Sequence, residues 1–245
     1  MVTAISALAY LALILLLVVG PPKSLRGSPG PALGLAGPLA GFLFLPNDGL
    51  PPFLDLAWSG PAFWLSLSLG PLGRMARGFR SRRSESFRRD LEMLLQLLAL
   101  ILAWLFLCFY ALKRGLPGDL PGLSVFAATP LMAQAGPSAG LGLVCLLLAL
   151  GPLAARREAD SPALLMTRFS ISAFLITVFF PFGLSGLVGA RWFFGLDFFL
   201  FWGKVLLLNR VIAPRLAGAC RLRAGRTAVG ILAAAGPLLV MAEIF

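Results

Sequence analysis

Apolar residues run along this chain in eight blocks, and polar residues gather in short gaps between them. The blocks are Val2–Gly20, Pro31–Pro46, Pro52–Leu72, Leu91–Leu112, Ser138–Ala155, Pro162–Leu187, Trp192–Ala213 and Thr227–Phe245. Most can supply the roughly 20 residues needed to cross a ~30 Å hydrocarbon core. A helix satisfies its own backbone in lipid. The pattern therefore predicts an all-α, polytopic transmembrane helical bundle, with residues 1–245 as a single integral membrane domain. The first block has no basic n-region and no small-x-small cleavage site, so it is expected to stay as an anchor.

The weakest block is Pro31–Pro46, which is short and carries Gly34, Gly37, Pro38 and Gly41. If it spans, there are eight helices with both termini outside. Cytoplasmic loops then hold Lys23, Arg26, Arg74, Arg77, Arg80, Arg82, Arg83, Arg88, Arg89, Arg156, Arg157, Arg168, Arg210, Arg215, Arg221, Arg223 and Arg226, a total of 17. Lys113, Arg114 and Arg191 make 3 outside, and Lys204 lies within a helix. If the block does not span, seven helices remain, the N-terminus is inside and the split is 15 to 5. Both arrangements obey the positive-inside rule of an inner, cytoplasmic membrane, and eight helices obey it better. The Gly37–Gly41 pair predicts close approach of this thin helix to a neighbour.

Composition narrows the chemistry. Hydrophobic residues make up 59% of the chain, so the net charge of +11 reads as membrane topology and not as a nucleic-acid footprint. The absence of histidine removes bis-His haem, His-ligated zinc or copper, and histidine acid–base catalysis. Cys108, Cys145 and Cys220 are far apart and lack a C-x-x-C spacing, which argues against a metal or Fe–S site built by this chain alone. Phosphate-binding glycine loops are absent, and Gly183, Gly186 and Gly189 fall in a Pro/Gly-rich turn. No cofactor is expected on the chain itself.

Charges inside or beside the helices are the candidate functional groups, because charge is costly in lipid. Asp197 and Lys204 are seven residues apart, two turns along one face and about 10 Å along the axis. They read either as an ion track or as an interfacial acid with a snorkelling or paired lysine. Asp90 and Glu92 stand at the start of the Leu91–Leu112 block, where acids also favour the helix dipole. Glu158 and Asp160 precede Pro162, which suits the first position of a helix.

Three segments carry a resemblance to a known family. Phe87-Arg88-Arg89-Asp90-Leu91-Glu92-Met93 resembles a cytoplasmic lead-in to a long apolar helix. Phe179-Phe180-Pro181-Phe182-Gly183 resembles the end of a penultimate hairpin. Lys204 followed by Arg221-Leu222-Arg223 resembles a lysine and basic loop before a final helix. In that order they resemble the membrane subunit of respiratory complex I beneath the quinone-reducing module, and its homologue in energy-converting [NiFe] hydrogenases of the formate hydrogenlyase type. The first cytoplasmic loop is shorter here, and only Glu158 and Asp160 stand where the family has several carboxylates, so the resemblance is to a reduced member.

The resemblance implies a membrane-anchoring, proton- or sodium-conducting subunit of a respiratory or hydrogenase-like oxidoreductase complex, itself non-catalytic. Fe–S clusters, and NiFe or quinone, would then belong to partner subunits: other membrane subunits and a peripheral cytoplasmic redox module. Coupling would involve Asp197, Lys204, Glu158, Asp160, Asp90 and Glu92. Docking would use Arg74, Arg77, Arg80, Arg82, Arg83, Arg88, Arg89, Arg221 and Arg223, since guanidinium pairs well with carboxylates. The alternatives are a small-solute transporter, a lipid-modifying enzyme and a purely structural scaffold.

Overall fold

The computed structural model describes residues 10–12, 14, 30–45, 59–81, 91, 94, 97–98, 101, 162–179 and 194–215. These residues are helical apart from the turn at 42–45, with no strand among them. Four helices carry the architecture: α1 (Gly30–Gly41), α2 (Ser59–Ser81), α3 (Pro162–Phe179) and α4 (Phe194–Leu207). A π turn, Leu208–Ile212, continues α4. The all-α class expected from the apolar blocks therefore holds over the described residues.

Helix α1 packs on both α2 and α3, and α3 packs on α4 and the π turn. The central element is α3. Its side chains from Met166 to Thr177 are buried on every side, except for the half-buried Arg168. A helix that is apolar all round has to be surrounded. It begins at Pro162, as the proline predicts: the missing N–H costs nothing in a first turn.

The α1–α2 contact is set by small residues. A Cβ on Gly37 would run into the Ser66 carbonyl of α2, with the Gly70 nitrogen next at 3.8 Å. At Gly41 it would meet Ser66 Oγ at 3.1 Å and the Phe63 ring at 3.2 Å. The expected close approach through Gly37 and Gly41 is thus present. The facing helix answers with its own small residues four apart, Ser66 and Gly70.

Helix α1 is 12 residues long, or roughly 18 Å at 1.5 Å per residue. It covers only part of the Pro31–Pro46 block because the backbone tightens at its end. The Phe42, Leu43 and Phe44 N–H groups bond the Leu39, Ala40 and Gly41 carbonyls at 3.2, 3.0 and 3.1 Å, a three-residue spacing. Pro38 inside the helix also lacks the N–H that the Gly34 carbonyl would accept.

Aromatic rings fill two parts of the core. Phe63 stacks on Phe174 with centroids 5.1 Å apart, and Trp64 meets Phe174 edge-on at 4.8 Å. Elsewhere Trp202 of α4 contacts Phe42 at 5.7 Å and Tyr10 at 6.5 Å. Ile14 and Leu97 are also fully buried.

Among the described residues, no helix is long and apolar enough to cross a membrane. Helix α2 has 23 residues, but its last two turns hold Arg74, Arg77 and Arg80. These arginines, expected in a loop, belong to the helix, because α2 runs on past Leu72 to Ser81.

Candidate functional site

Polar side chains are gathered on the inward faces of α3 and α4. Thr167, Ser170, Ser172 and Thr177 are buried on the central helix, and Asp197 and Asn209 on α4 and its π turn. Transfer of a hydroxyl to a medium without hydrogen bonds costs roughly 4–8 kcal/mol, so each needs an acceptor. Several use their own helix. Ser66 donates to the Phe63 carbonyl at 2.7 Å, Ser68 to Trp64 at 2.9 Å and Ser172 to Arg168 at 2.8 Å.

Ser170 does more. Its hydroxyl lies 3.0 Å from the Met166 carbonyl of its own helix and 2.9 Å from the Pro38 carbonyl of α1. Pro38 is among the last four carbonyls of α1, the set that a helix end leaves without regular partners. The central helix thus caps the end of α1 through a side chain.

Asp197 and Lys204 both lie on α4, as the spacing predicts. Asp197 is in its first turn and 0% exposed, so it is not a solvent-facing acid. Lys204 is half-buried in the last turn. Neither side chain is without an interaction partner. The helix runs on through the π turn to Arg215, so Lys204 lies mid-helix, and only Asp197 in the first turn complements the macrodipole.

Beyond Lys204 the helix widens. Ala213 N–H bonds the Leu208 carbonyl, five residues back, which defines the π turn. Asn209 sits within it and donates from Nδ2 to the Val205 carbonyl at 3.1 Å. Among the described residues, Asn209 Oδ1 and the indole nitrogens of Trp64 and Trp202 are buried without a hydrogen-bond partner. Isolated π turns recur at functional positions, and nothing in Leu-Asn-Arg-Val-Ile announces this one.

Arg168 corrects the sequence reading. It is expected among the cytoplasmic loop arginines, yet it lies on α3, six residues beyond Pro162, and is half-buried. It lies inside the Pro162–Leu187 block, and its closeness to Arg156 and Arg157 is what groups it with the loop charges.

Asp90, Glu92, Glu158, Asp160, Arg82, Arg83, Arg88, Arg89, Arg221 and Arg223 lie outside the described residues, as do the three cysteines. The structure therefore brings together Asp197, Lys204 and Asn209 on one helix. The sequence reading passes over Ser170, whose signal is slight: it is one of four hydroxyl residues on its helix, with Thr167, Ser172 and Thr177. No protein-family model matches the chain, and no match is found among curated proteins.

Proposed function

We propose that this chain is a membrane-embedded anchoring subunit of a multi-subunit, ion-translocating oxidoreductase. One observation carries the membrane part: large apolar side chains face outward on two helices while several polar ones are buried. On α2, Leu65, Leu69 and Leu72 face outward, with Leu65 63% exposed. On α4 the outward residues are Leu196, Phe199, Leu200 and Leu207, with Phe199 71% exposed. Serines, threonines, Asp197 and Asn209 face inward. In water this arrangement leaves large apolar side chains unsheltered, whereas lipid covers them.

Helix length does not support the reading by itself. At about 18 Å, α1 reaches little more than half-way across a ~30 Å core, which suits the seven-helix arrangement. Both arrangements put the arginine-rich end of α2 and residues Arg210 and Arg215 on the cytoplasmic side. The oxidoreductase part rests on the ordered resemblance to the complex I and hydrogenase membrane subunit. Redox centres then sit on a peripheral partner, docked at Arg74, Arg77, Arg80 and the arginines that follow.

Two measurements test this. The protein should stay with membranes through an alkaline carbonate wash; release into the supernatant would overturn the membrane reading. Purified in mild detergent, it should carry a peripheral subunit with stoichiometric non-haem iron and an Fe–S electron paramagnetic resonance signal. A monodisperse, iron-free protein with no partner would overturn the subunit reading.

The ion-conducting role is tested at Lys204. A lone ammonium deep in a bilayer costs about 2.5–3.5 kcal/mol on insertion scales, so a lysine retained there needs a reason. With Lys204 on the ion path, Lys204→Met keeps assembly and cuts proton or sodium uptake per electron to about a tenth or less, since a positioned proton-transfer group contributes roughly 10²–10⁴-fold. Uptake in proteoliposomes of the whole complex, measured beside its redox rate, decides. Unchanged uptake per electron would select a scaffold role instead.

A further inference from the structure

The outward face of α4 ends in two exposed arginines. Arg210 and Arg215 are both solvent-facing, as are Leu207, Val211 and Ile212 beside them. Among the described residues neither arginine is paired with a carboxylate. Leu207, Val211 and Arg215 follow one another at four-residue steps and share a face, with Arg210 beside it. Ala213, just past the π turn, is fully buried. The two arginines are five residues apart, about 7 Å along the axis at a regular helical rise, a span that two long side chains can close on one anion.

The apolar stripe leading to them has a definite length. From Leu196 to Leu207 it runs 11 residues, roughly 16 Å, about half of a ~30 Å hydrocarbon core. Gly203 lies in the middle of the stripe and is exposed, and a Cβ there would touch nothing within 4 Å. The stripe is therefore low at Gly203, between Leu200 and Leu207. A cationic pair at one end and an exposed apolar stripe about one leaflet long form a surface with one chemistry.

We infer that α4 and its π turn form a binding site for an anionic phospholipid, the phosphate held by Arg210 and Arg215 and an acyl chain laid along Leu196, Phe199, Leu200, Gly203 and Leu207. The site rests on the membrane reading above. Charge complementarity selects an anionic headgroup, and the exposed apolar stripe selects a lipid over a free anion.

The test uses full-length protein with its associated subunits, stripped of lipid in mild detergent. Phosphatidylglycerol, phosphatidylcholine or inorganic phosphate is then added and bound lipid is counted by native mass spectrometry. Phosphatidylglycerol should bind in preference to phosphatidylcholine. In the double variant Arg210→Gln, Arg215→Gln its affinity should fall about 30-fold, with phosphatidylcholine unaffected. Arg210→Lys, Arg215→Lys, which keeps the charge, should retain most of the preference.

Equal binding of the two lipids, or an unchanged Gln variant, would overturn the site. Displacement of phosphatidylglycerol by inorganic phosphate at matching concentration would overturn it too, since the apolar stripe would then contribute nothing. Retention through the carbonate wash separates these failures from failure of the membrane reading itself.

Discussion

Phe174→Ala is expected to remove about 3–5 kcal/mol of stability, the usual range for deleting a buried aromatic ring. Phe174 is 3% exposed on the central helix. It stacks on Phe63 at an interplanar angle of 13° and takes the edge of Trp64 at 4.8 Å. Such ring pairs contribute about 0.5–1.5 kcal/mol each beyond their packing volume. Both partners come from α2, so the ring also ties α2 to α3. Alanine would leave a void that the two helices can close only by shifting towards each other. Phe199→Ala is the control: at 71% exposure its ring has little to lose within the protein. Unfolding in mild detergent should separate the two variants clearly. A loss below about 1 kcal/mol at Phe174 would mean that the ring cluster is not the core it resembles.

Gly37→Leu should be the second most damaging change, and its sign can be argued against another glycine. In a helix interior, replacing glycine gains up to about 1 kcal/mol of backbone propensity. At Gly203 nothing opposes that gain, because a Cβ there meets open space, so Gly203→Ala should be neutral or stabilising. At Gly37 the new Cβ strikes the Ser66 backbone, which cannot swing away as a side chain can. Overpacking typically costs about 1–3 kcal/mol, and leucine adds three more carbons to the collision. The net expectation is a loss of about 2 kcal/mol or more, with α1 displaced from α2. Thermal unfolding of the two variants side by side checks it. A stabilised Gly37→Leu would show that the helices do not meet there.

These two predictions also mark what the chain's residues made legible. Helical class could be read because long apolar runs with little interior charge leave few other ways to satisfy a backbone. The Gly37–Gly41 contact could be read because small residues four apart fall on one helix face. Its counterpart, Ser66 and Gly70, was not singled out, since serine signals nothing until a glycine is seen opposite it. Arg168 reads as one more loop charge because it closely follows Arg156 and Arg157, although it falls inside the Pro162–Leu187 block. The π turn had no local signature either; its effect shows only in which residues, Asn209 and Ala213, end up turned inward. For Asp197 and Lys204, spacing located the pair on one helix, while the depth of Asp197 depended on neighbours that spacing cannot supply.

The serine hydroxyls bear on how such a bundle would be made. Ser66, Ser68 and Ser172 find their acceptors within their own helices, and so does the amide nitrogen of Asn209. On the membrane reading, a newly synthesised helix can therefore leave the aqueous channel of the insertion machinery by itself, with these donors already satisfied. Insertion then does not have to wait for a neighbour. Ser170 differs, because its second acceptor, the Pro38 carbonyl, is supplied by another helix. That bond forms only when separately inserted helices meet, 132 residues apart in the chain. It divides biogenesis into two stages: entry of single helices, then their lateral assembly around the central one.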